Sequence, residues 1–505
     1  MMMRFPEIDW LAKWALYRPD SLFLRDHARE VSWTFAAAQQ RALGVANLLQ
    51  TRFGIKRGDR VAVLSTNRSE YVYLFLAAVK LGAVLVPLNF RLTGAELATP
   101  LQDAEPALVF CEPQLRRKVL WDGAPVHEIG VVEDVVFGAG APDTSLQVDR
   151  PGTLDDLIMI LYTSGTTGVP KGAMVTHRML LWNSINTVLH LDLTAADHSL
   201  SFAPFFHTGG WNVLLTPFLH CGASHTLLQR FDPELILRLL QTEKVSLVFG
   251  VPTMLRMLAD APGFAEADLS SLRYAIVGGA SMPEPLINIW HDKGVFIRQG
   301  YGLTEVGPNC FSLHQDQAIS HRGSIGLPNF YVDARIVDDK GGDCPVDTVG
   351  ELWLRSEVVT PGYWRRPEAT AAAITDGWFH TGDLMKKDAN GFHYVVDRKK
   401  NMYISGGENV FPAEVEAALL EHPAIKEAAV IGVPDPTWGE AGHAFLVLIP
   451  DAAWDPDGVR EFCRGRLARF KNPRDLSVLE ALPLNDAGKV DRTELRRLTS
   501  EDKEN

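Results

Sequence analysis

Apolar residues along the chain gather into short runs separated by longer stretches of mixed pattern. Arg60-Val-Ala-Val-Leu64 reads as a short buried strand, residues 70–81 have helical length, and residues 83–87 read as a second strand. The alternation returns with a strand at 245–249, a helix at 253–260, a strand at 273–277, a helix after Pro283 and a strand at 295–297. Proline suits a first helical turn, where its missing N–H has no partner to lose. Strands alternating with helices predict βαβ units and a parallel sheet. Such sheets take ligands beyond the C-terminal ends of their strands. From about residue 329 to 396 the texture changes. Strand-like pieces at 331–337 and 350–354 are separated by Gly, Pro and Asp turns, which predicts an antiparallel, barrel-like segment.

A charged run, Asp397-Arg-Lys-Lys-Asn401, then precedes a Gly-rich loop and a helix at 412–421. The expected fold is therefore α/β. A large N-terminal domain (1–397) carries parallel βαβ sheets plus the small barrel-like segment. A hinge at 398–401 leads into a small α+β C-terminal domain (402–505). The most apolar stretch, 71–86, is interrupted by Lys80 and Gly82 and ends at Pro87. That falls short of the ~20 apolar residues of a membrane span, so no integral membrane span is expected. The N-terminal residues include Glu7 and Asp9 and have no apolar core, so they do not read as a secretory signal. A cytoplasmic location follows as the expectation.

Composition narrows the functional classes. The 505 residues are 46% hydrophobic and 22% charged, enough for a large core and more than one structural unit. The net charge of −13 argues against nucleic acid or an anionic membrane as the bulk partner. It leaves room for a few local cations that bind phosphate. The five cysteines, Cys111, Cys221, Cys310, Cys344 and Cys463, form no CxxC pair. They read as small buried hydrophobes rather than zinc ligands or a disulfide framework.

Three segments carry candidate chemistry. In Leu161-Tyr-Thr-Ser-Gly-Thr-Thr-Gly-Val-Pro-Lys-Gly172, an apolar strand at 157–161 feeds a loop of Thr163, Ser164, Gly165, Thr166, Thr167 and Gly168, closed by Lys171. Small residues let backbone N–H groups approach an anion, hydroxyls add donors, and lysine adds charge: the ingredients of a polyphosphate cradle. It is not a Walker A loop, because Pro170 replaces the second Gly and Gly172 the Ser/Thr. Gln299-Gly-Tyr-Gly-Leu-Thr-Glu305 follows the strand at 295–297. There Gly300 and Gly302 free the backbone, Tyr301 offers a flat face to a base, Thr304 can donate to a phosphate, and Glu305 is a hard oxygen ligand suited to Mg²⁺. In His380-Thr-Gly-Asp383, a Gly-Asp at a strand end can present its carboxylate to ribose hydroxyls. Each taken alone is as well explained by an ordinary turn.

Together with Asp397-Arg398 and Gly406-Gly-Glu-Asn-Val410, the ordered set resembles the adenylate-forming superfamily of acyl-CoA synthetases, nonribosomal adenylation domains and beetle luciferases. The likeness extends through Val277-Gly-Gly279-Ala280, Gly350-Glu-Leu-Trp353, Gly362-Tyr-Trp364, Pro412-Ala-Glu-Val-Glu416 and Pro483-Leu-Asn-Asp-Ala-Gly-Lys489, and so covers nearly the whole chain. The resemblance implies a two-step reaction. A carboxylate attacks the α-phosphate of ATP and releases pyrophosphate, and coenzyme A then displaces AMP. It implies ATP, Mg²⁺ and coenzyme A as cofactors and a small-molecule carboxylic acid as partner, and a homodimer is compatible with it. By the same resemblance, Thr163 to Lys171 would grip the β- and γ-phosphates. Thr304 and Glu305 would serve the α-phosphate and Mg²⁺, with Tyr301 beside adenine and Asp383 and Arg398 at the ribose. Lys489 would be the adenylation lysine, although Asp486 stands where relatives often carry Thr. Lys400 would be the hinge residue, and Gly406, Gly407 and Trp438 would lie along the thiol's path. The basic residues Arg464, Arg466, Arg469 and Lys471 would meet coenzyme A phosphates or form a solvated helix face.

Phe205-Phe-His-Thr-Gly-Gly-Trp-Asn212 resembles the floor of the family's acid site. His207 stands where amino-acid-activating relatives carry Asp, which argues against an α-amino acid. Phe206 and Trp211, if they face inward, favour an apolar acid. The expected substrate is a medium or long fatty acid. The alternatives are an aryl acid such as a benzoate or cinnamate, a stand-alone acyl-carrier-protein loader, and a luciferase-like monooxygenase.

Overall fold

In the computed structural model, residues 9–147, 152–163, 170–464, 466–485 and 488–501 are described, the side chains of the last two excepted. The loop positions Ser164, Gly165, Thr166, Thr167 and Gly168, and Asp486, fall outside them. The chain packs as two compact units, Met1–Ala334 with Trp353–His380, and Arg335–Leu352 with Thr381–Asn505.

The first unit holds the two parallel sheets that the alternating pattern predicts. One has six strands in the order Val126–Glu128, Leu108–Cys111, Arg60–Leu64, Val84–Leu88, Leu157–Thr163, Lys171–Thr176. All neighbours are parallel except the last pair, a hairpin in which Thr163 lies opposite Lys171. The other has nine strands. At its centre Ser224–Leu227, His198–Ser201, Leu247–Gly250, Tyr274–Val277 and Ile297–Leu303 run parallel, each beside the next. Helix Ser69–Leu81 is buried along all 13 residues, as a helix apolar all round must be. It stops at Gly82, whose φ of +70° a side chain would resist. The apolar run at 71–86, too short for a membrane span, is thus most of this helix plus the strand after it. The helix's two buried charges are both paired, Lys80 with Asp9 at 3.0 Å and Glu70 with Arg68 at 2.5 Å, since a desolvated charge requires a partner. No helix among the described residues is long and apolar enough to cross a membrane.

Two boundaries differ from the sequence reading in ways that matter for the site. The strand expected at 295–297 runs from Ile297 to Leu303, so most of the Gln299–Glu305 motif is strand rather than a loop after one. Parallel pairing of residues 297–299 to 275–277, then antiparallel pairing of 300–303 to 307–312, satisfies its backbone and extends it. Likewise His380-Thr-Gly-Asp383 lies inside the strand Trp378–Lys387 rather than at its end.

In the second unit, Asp383–Lys387 pairs antiparallel with His393–Arg398. Five further strands, Glu408–Val410, Tyr403–Ser405, Gly439–Leu448, Ile425–Asp435 and Asp475–Val478, make an α+β layer with the helices Pro412–Leu420, Pro456–Arg464 and Arg492–Glu501. The long hairpin 425–448 is its spine.

Candidate active site

In the first unit, the 163/171 hairpin and the Thr304–Glu305 turn meet through a third segment. Residues 360–364 are tied to the strand Lys171–Thr176 by backbone bonds, Met174 N to Gly362 O at 3.1 Å and Trp364 N to Gly172 O at 2.8 Å. They are tied to the turn by Thr360 N donating to Glu305 O at 2.7 Å. This places Tyr363 between the two charges. Its hydroxyl donates to Glu305 Oε1 at 3.0 Å, and Lys171 Nζ stands 5.3 Å above its ring. Burial and the neighbouring Glu305 carboxylate hold this phenol far above its ordinary range, so it stays neutral and keeps its donor. Upstream, Gly302 admits no side chain, because a Cβ would run into the Gly307–Pro308 backbone. That close approach folds the strand back so that Thr304 and Glu305 sit on a single 3₁₀ turn. Tyr301 packs edge-on to Phe311 at 5.8 Å and stays half-buried. Gly279 and Ala280 lie exposed just beyond the strand Tyr274–Val277, whose last residue pairs with Gln299.

In the second unit, strand register sets Asp383 opposite Arg398. The guanidinium Nε lies 2.7 Å from the buried Asp383 carboxylate. Lys489 sits on a tight turn closed by Gly488 N to Asn485 O at 2.8 Å and Asn485 N to Lys489 O at 2.7 Å. The lysine is exposed, though neighbouring protein partly desolvates its ammonium. Its ammonium is pushed down first by that desolvation, then by the charge of Arg398, with Asp383 opposing and Lys400 adding to the fall. Lys400 is lowered in the same way, by desolvation and then Arg398. Asp383, Arg398, Lys400 and Lys489 thus form one electrostatic group.

Two readings that the sequence left open are narrowed. Trp211 does not line an acid site. Its indole stacks on Phe205 at 4.3 Å and packs against Tyr71 and Phe75 in the core of the unit. Phe206 is buried against Phe90 and beside His207, and His207 begins the short helix Thr208–Asn212. The basic cluster is mostly neutralised within its own unit. Arg464 pairs with Glu461 at 3.0 Å, Arg466 with Glu421 at 3.1 Å and Lys471 with Glu414 at 2.6 Å. Gly406 and Gly407 both take left-handed φ, +61° and +87°. A Cβ at Gly406 would strike the Trp438 ring at 2.6 Å, whereas one at Gly407 would meet open space.

A strand–loop–strand cradle ending in lysine, a carboxylate beside it, and a separate lysine carried on a small α+β unit together match one family. Residues 11–364 match the model of the AMP-binding enzyme family, and residues 414–489 match that of the AMP-binding enzyme C-terminal domain. The chain belongs to the AMP-binding enzyme family. It is 39% identical over 470 residues to feruloyl-CoA synthase of Amycolatopsis sp, covering 92% of this chain and 93% of that one. It is 36% identical over 490 residues to 2-succinylbenzoate–CoA ligase of Geobacillus kaustophilus, covering 97% of each. Among solved structures it matches o-succinylbenzoate coenzyme A synthetase from Bacillus subtilis in complex with ATP and magnesium ion. There the TM-score is 0.88 with 31% identity, over 97% of this chain and 99% of that one.

The family's chemistry fits the residues present. Among the described residues no cluster of three or more His, Cys, Asp or Glu could hold a metal by itself. A single half-buried carboxylate, Glu305, suits Mg²⁺, which keeps its waters and is shared with substrate phosphates. Two members of the arrangement escaped the sequence reading. Tyr363 was visible only as part of Gly362-Tyr-Trp364, with nothing to link it to Glu305, 58 positions away. Asp397 was visible only as a charged neighbour of the hinge. It accepts from Ala413 N at 2.9 Å, at the start of helix Pro412–Leu420, and from Asn401 Nδ2 at 3.0 Å, so it ties residues 397–401 to that helix.

Proposed function

We propose that this AMP-forming CoA ligase activates an aryl carboxylic acid. The observation that carries the reading of the site is the placement of Lys171 and Glu305 on the same tyrosine. It gathers an ammonium for phosphate oxygens and a carboxylate for a divalent cation within one side chain's span. An anion attacking a polyanion needs positioning and charge neutralisation above all. Thr163 and Lys171 hold the β- and γ-phosphates, together with residues 164–168. Thr304 donates to the α-phosphate, and Tyr301, Gly279, Ala280, Gly300 and Gly302 shape the adenine side. Mg²⁺ on Glu305, when bound, supplies Lewis-acid neutralisation of the phosphates. Asp383 accepts from ribose hydroxyls while Arg398 keeps it oriented, and Lys489 supplies the cation for the adenylation step. His207 stands beside the substrate carboxylate. Residues 398–401, with Lys400, are the hinge between residues 1–397 and 402–505. Gly406, Gly407 and Trp438 border the thiol's path.

The aryl reading is preferred to the fatty-acid one on the strength of the relatives. Feruloyl-CoA synthase and 2-succinylbenzoate–CoA ligase, both at more than a third identity, act by name on aryl acids. The test is AMP release with ATP and coenzyme A across a panel of cinnamic, benzoic, arylacetic and C6–C16 fatty acids. Aryl acids are expected to give the highest kcat/KM, and a fatty-acid optimum would overturn the reading. In the same assay Lys489→Ala is expected to lose pyrophosphate release by about 10²–10³-fold while still making thioester from preformed acyl-adenylate. Equal loss in both steps would remove Lys489 from the first.

A further inference from the structure

Thr360 stands where the segment that carries Tyr363 meets the strand Lys171–Thr176, and it is only 2% exposed. Along this edge the segment continues the sheet. Ala173 bridges Tyr363 in antiparallel fashion, with Met174 N donating to Gly362 O at 3.1 Å and Trp364 N to Gly172 O at 2.8 Å. The next bond of such a ladder runs from Gly362 N to Met174 O. The Thr360 hydroxyl is inserted in its place. Gly362 N donates to Oγ1 at 3.1 Å, and Oγ1 donates to Met174 O at 2.7 Å. Gly362 O also lies near the hydroxyl, at 2.9 Å, but it already accepts from Met174 N. A hydroxyl has one proton and two lone pairs, so Thr360 relays the ladder bond instead of adding to it.

The insertion opens the ladder by the width of one hydroxyl and turns the backbone of residue 360 toward the Thr304–Glu305 turn, where its N–H donates to Glu305 O at 2.7 Å. Thr360 thus touches the Lys171 strand, the Tyr363 segment and the Glu305 turn at once. We infer that Thr360 is a positioning residue for adenylation, whose hydroxyl sets the spacing at which Tyr363 lies under Lys171 and donates to Glu305. The inference rests on the proposed function, in which Lys171 serves phosphates and Glu305 serves Mg²⁺. Without the hydroxyl, Gly362 N and Met174 O close on each other, and the segment moves toward the strand and away from Glu305. A carboxylate that serves a metal depends on the groups that orient it, and displacing them weakens the metal site.

The experiment is ATP–pyrophosphate exchange, titrated with Mg²⁺, on the unaltered protein, Thr360→Val and Thr360→Ser, using the acid of the panel above with the highest kcat/KM. Valine keeps the shape of threonine and removes the hydroxyl, whereas serine keeps the hydroxyl. Thr360→Val is expected to raise the Mg²⁺ concentration for half-maximal exchange about tenfold, and Thr360→Ser to leave it close to the unaltered value. Thioester formation from preformed acyl-adenylate involves neither pyrophosphate nor its Mg²⁺ and is expected to hold in both. An unchanged Mg²⁺ requirement in Thr360→Val would overturn the inference. So would an equal rise in Thr360→Ser, or an equal loss in exchange and thioester formation, which marks a general packing defect. A crystal structure of the unaltered protein decides the geometry even if Thr360→Val fails to fold: the hydroxyl between Gly362 N and Met174 O supports the inference, and a direct bond between those two atoms overturns it. Exchange that needs no divalent cation in the unaltered protein would remove the reading of Glu305 and the inference together.

Discussion

Glu305 and Asp383 are both acidic residues proposed to serve the nucleotide, yet the two units hold them differently. Glu305 takes a hydrogen bond from a neutral phenol. Asp383, with a side chain 4% exposed, faces a guanidinium that is itself 42% exposed. A neutral donor orients a carboxylate without cancelling its charge, so the Tyr363 bond suits the proposed role of Glu305 toward a divalent cation. Arg398 cancels most of the charge on Asp383 and leaves an acceptor suited to hydroxyls. The magnitudes agree with that division. A hydrogen bond to a charged group contributes about 1.5–3 kcal/mol when desolvated, whereas a pair with one solvated partner contributes about 0–1 kcal/mol.

The largest expected effect breaks this contrast at Glu305. Glu305→Gln keeps an acceptor for Tyr363 and removes the charge, so adenylation is expected to fall about 10²–10³-fold, read as ATP–pyrophosphate exchange across a Mg²⁺ titration. Exchange at the original rate would show that the charge is not used. A smaller effect is expected at Asp383→Asn, with a rise of about tenfold in the KM for ATP and a shift in pH dependence. Asp383 is the acidic influence that raises the Lys489 ammonium against burial, Arg398 and Lys400. Its removal lowers that pKa further. A lysine that must be cationic is lost as pH rises through its pKa, so the basic limb of the adenylation profile should move to lower pH. A limb that stays in place would separate Lys489 from Asp383. The smallest effect belongs to Tyr363→Phe, which keeps the ring under Lys171 and removes the donor to Glu305. The Mg²⁺ concentration for half-maximal ATP binding is expected to rise about threefold to tenfold, with little change in thermal stability. An unchanged Mg²⁺ requirement would reduce Tyr363 to packing.

Legibility followed sequence distance. Arg60–Leu64 matches its predicted strand at both ends, and helix Ser69–Leu81 starts one residue early. In both, apolar runs bounded by Gly, Pro or charged residues state their own limits. Lys171, Thr304, Glu305, Asp383, Arg398 and Lys489 were all singled out by residue type and motif. Their partners were less visible. Tyr363 meets Glu305 through a backbone crossing at Thr360 and Gly362 that no local pattern announces. The orientation of Trp211 stayed open, because an aromatic beside a substrate motif and an aromatic in a core have the same local sequence.

By itself the sequence determined the alternation of strands and helices, the order of the motifs and, through them, the family. Those features are set by side-chain type and spacing over a few residues, where local sterics and periodic burial decide the outcome. The tertiary structure alone decided which charges face which partners. It set Tyr363 under Lys171 and Arg398 opposite Asp383. Each of these contacts joins positions brought together by strand register or by packing across elements, and their electrostatics depend on burial, which emerges only when the core closes.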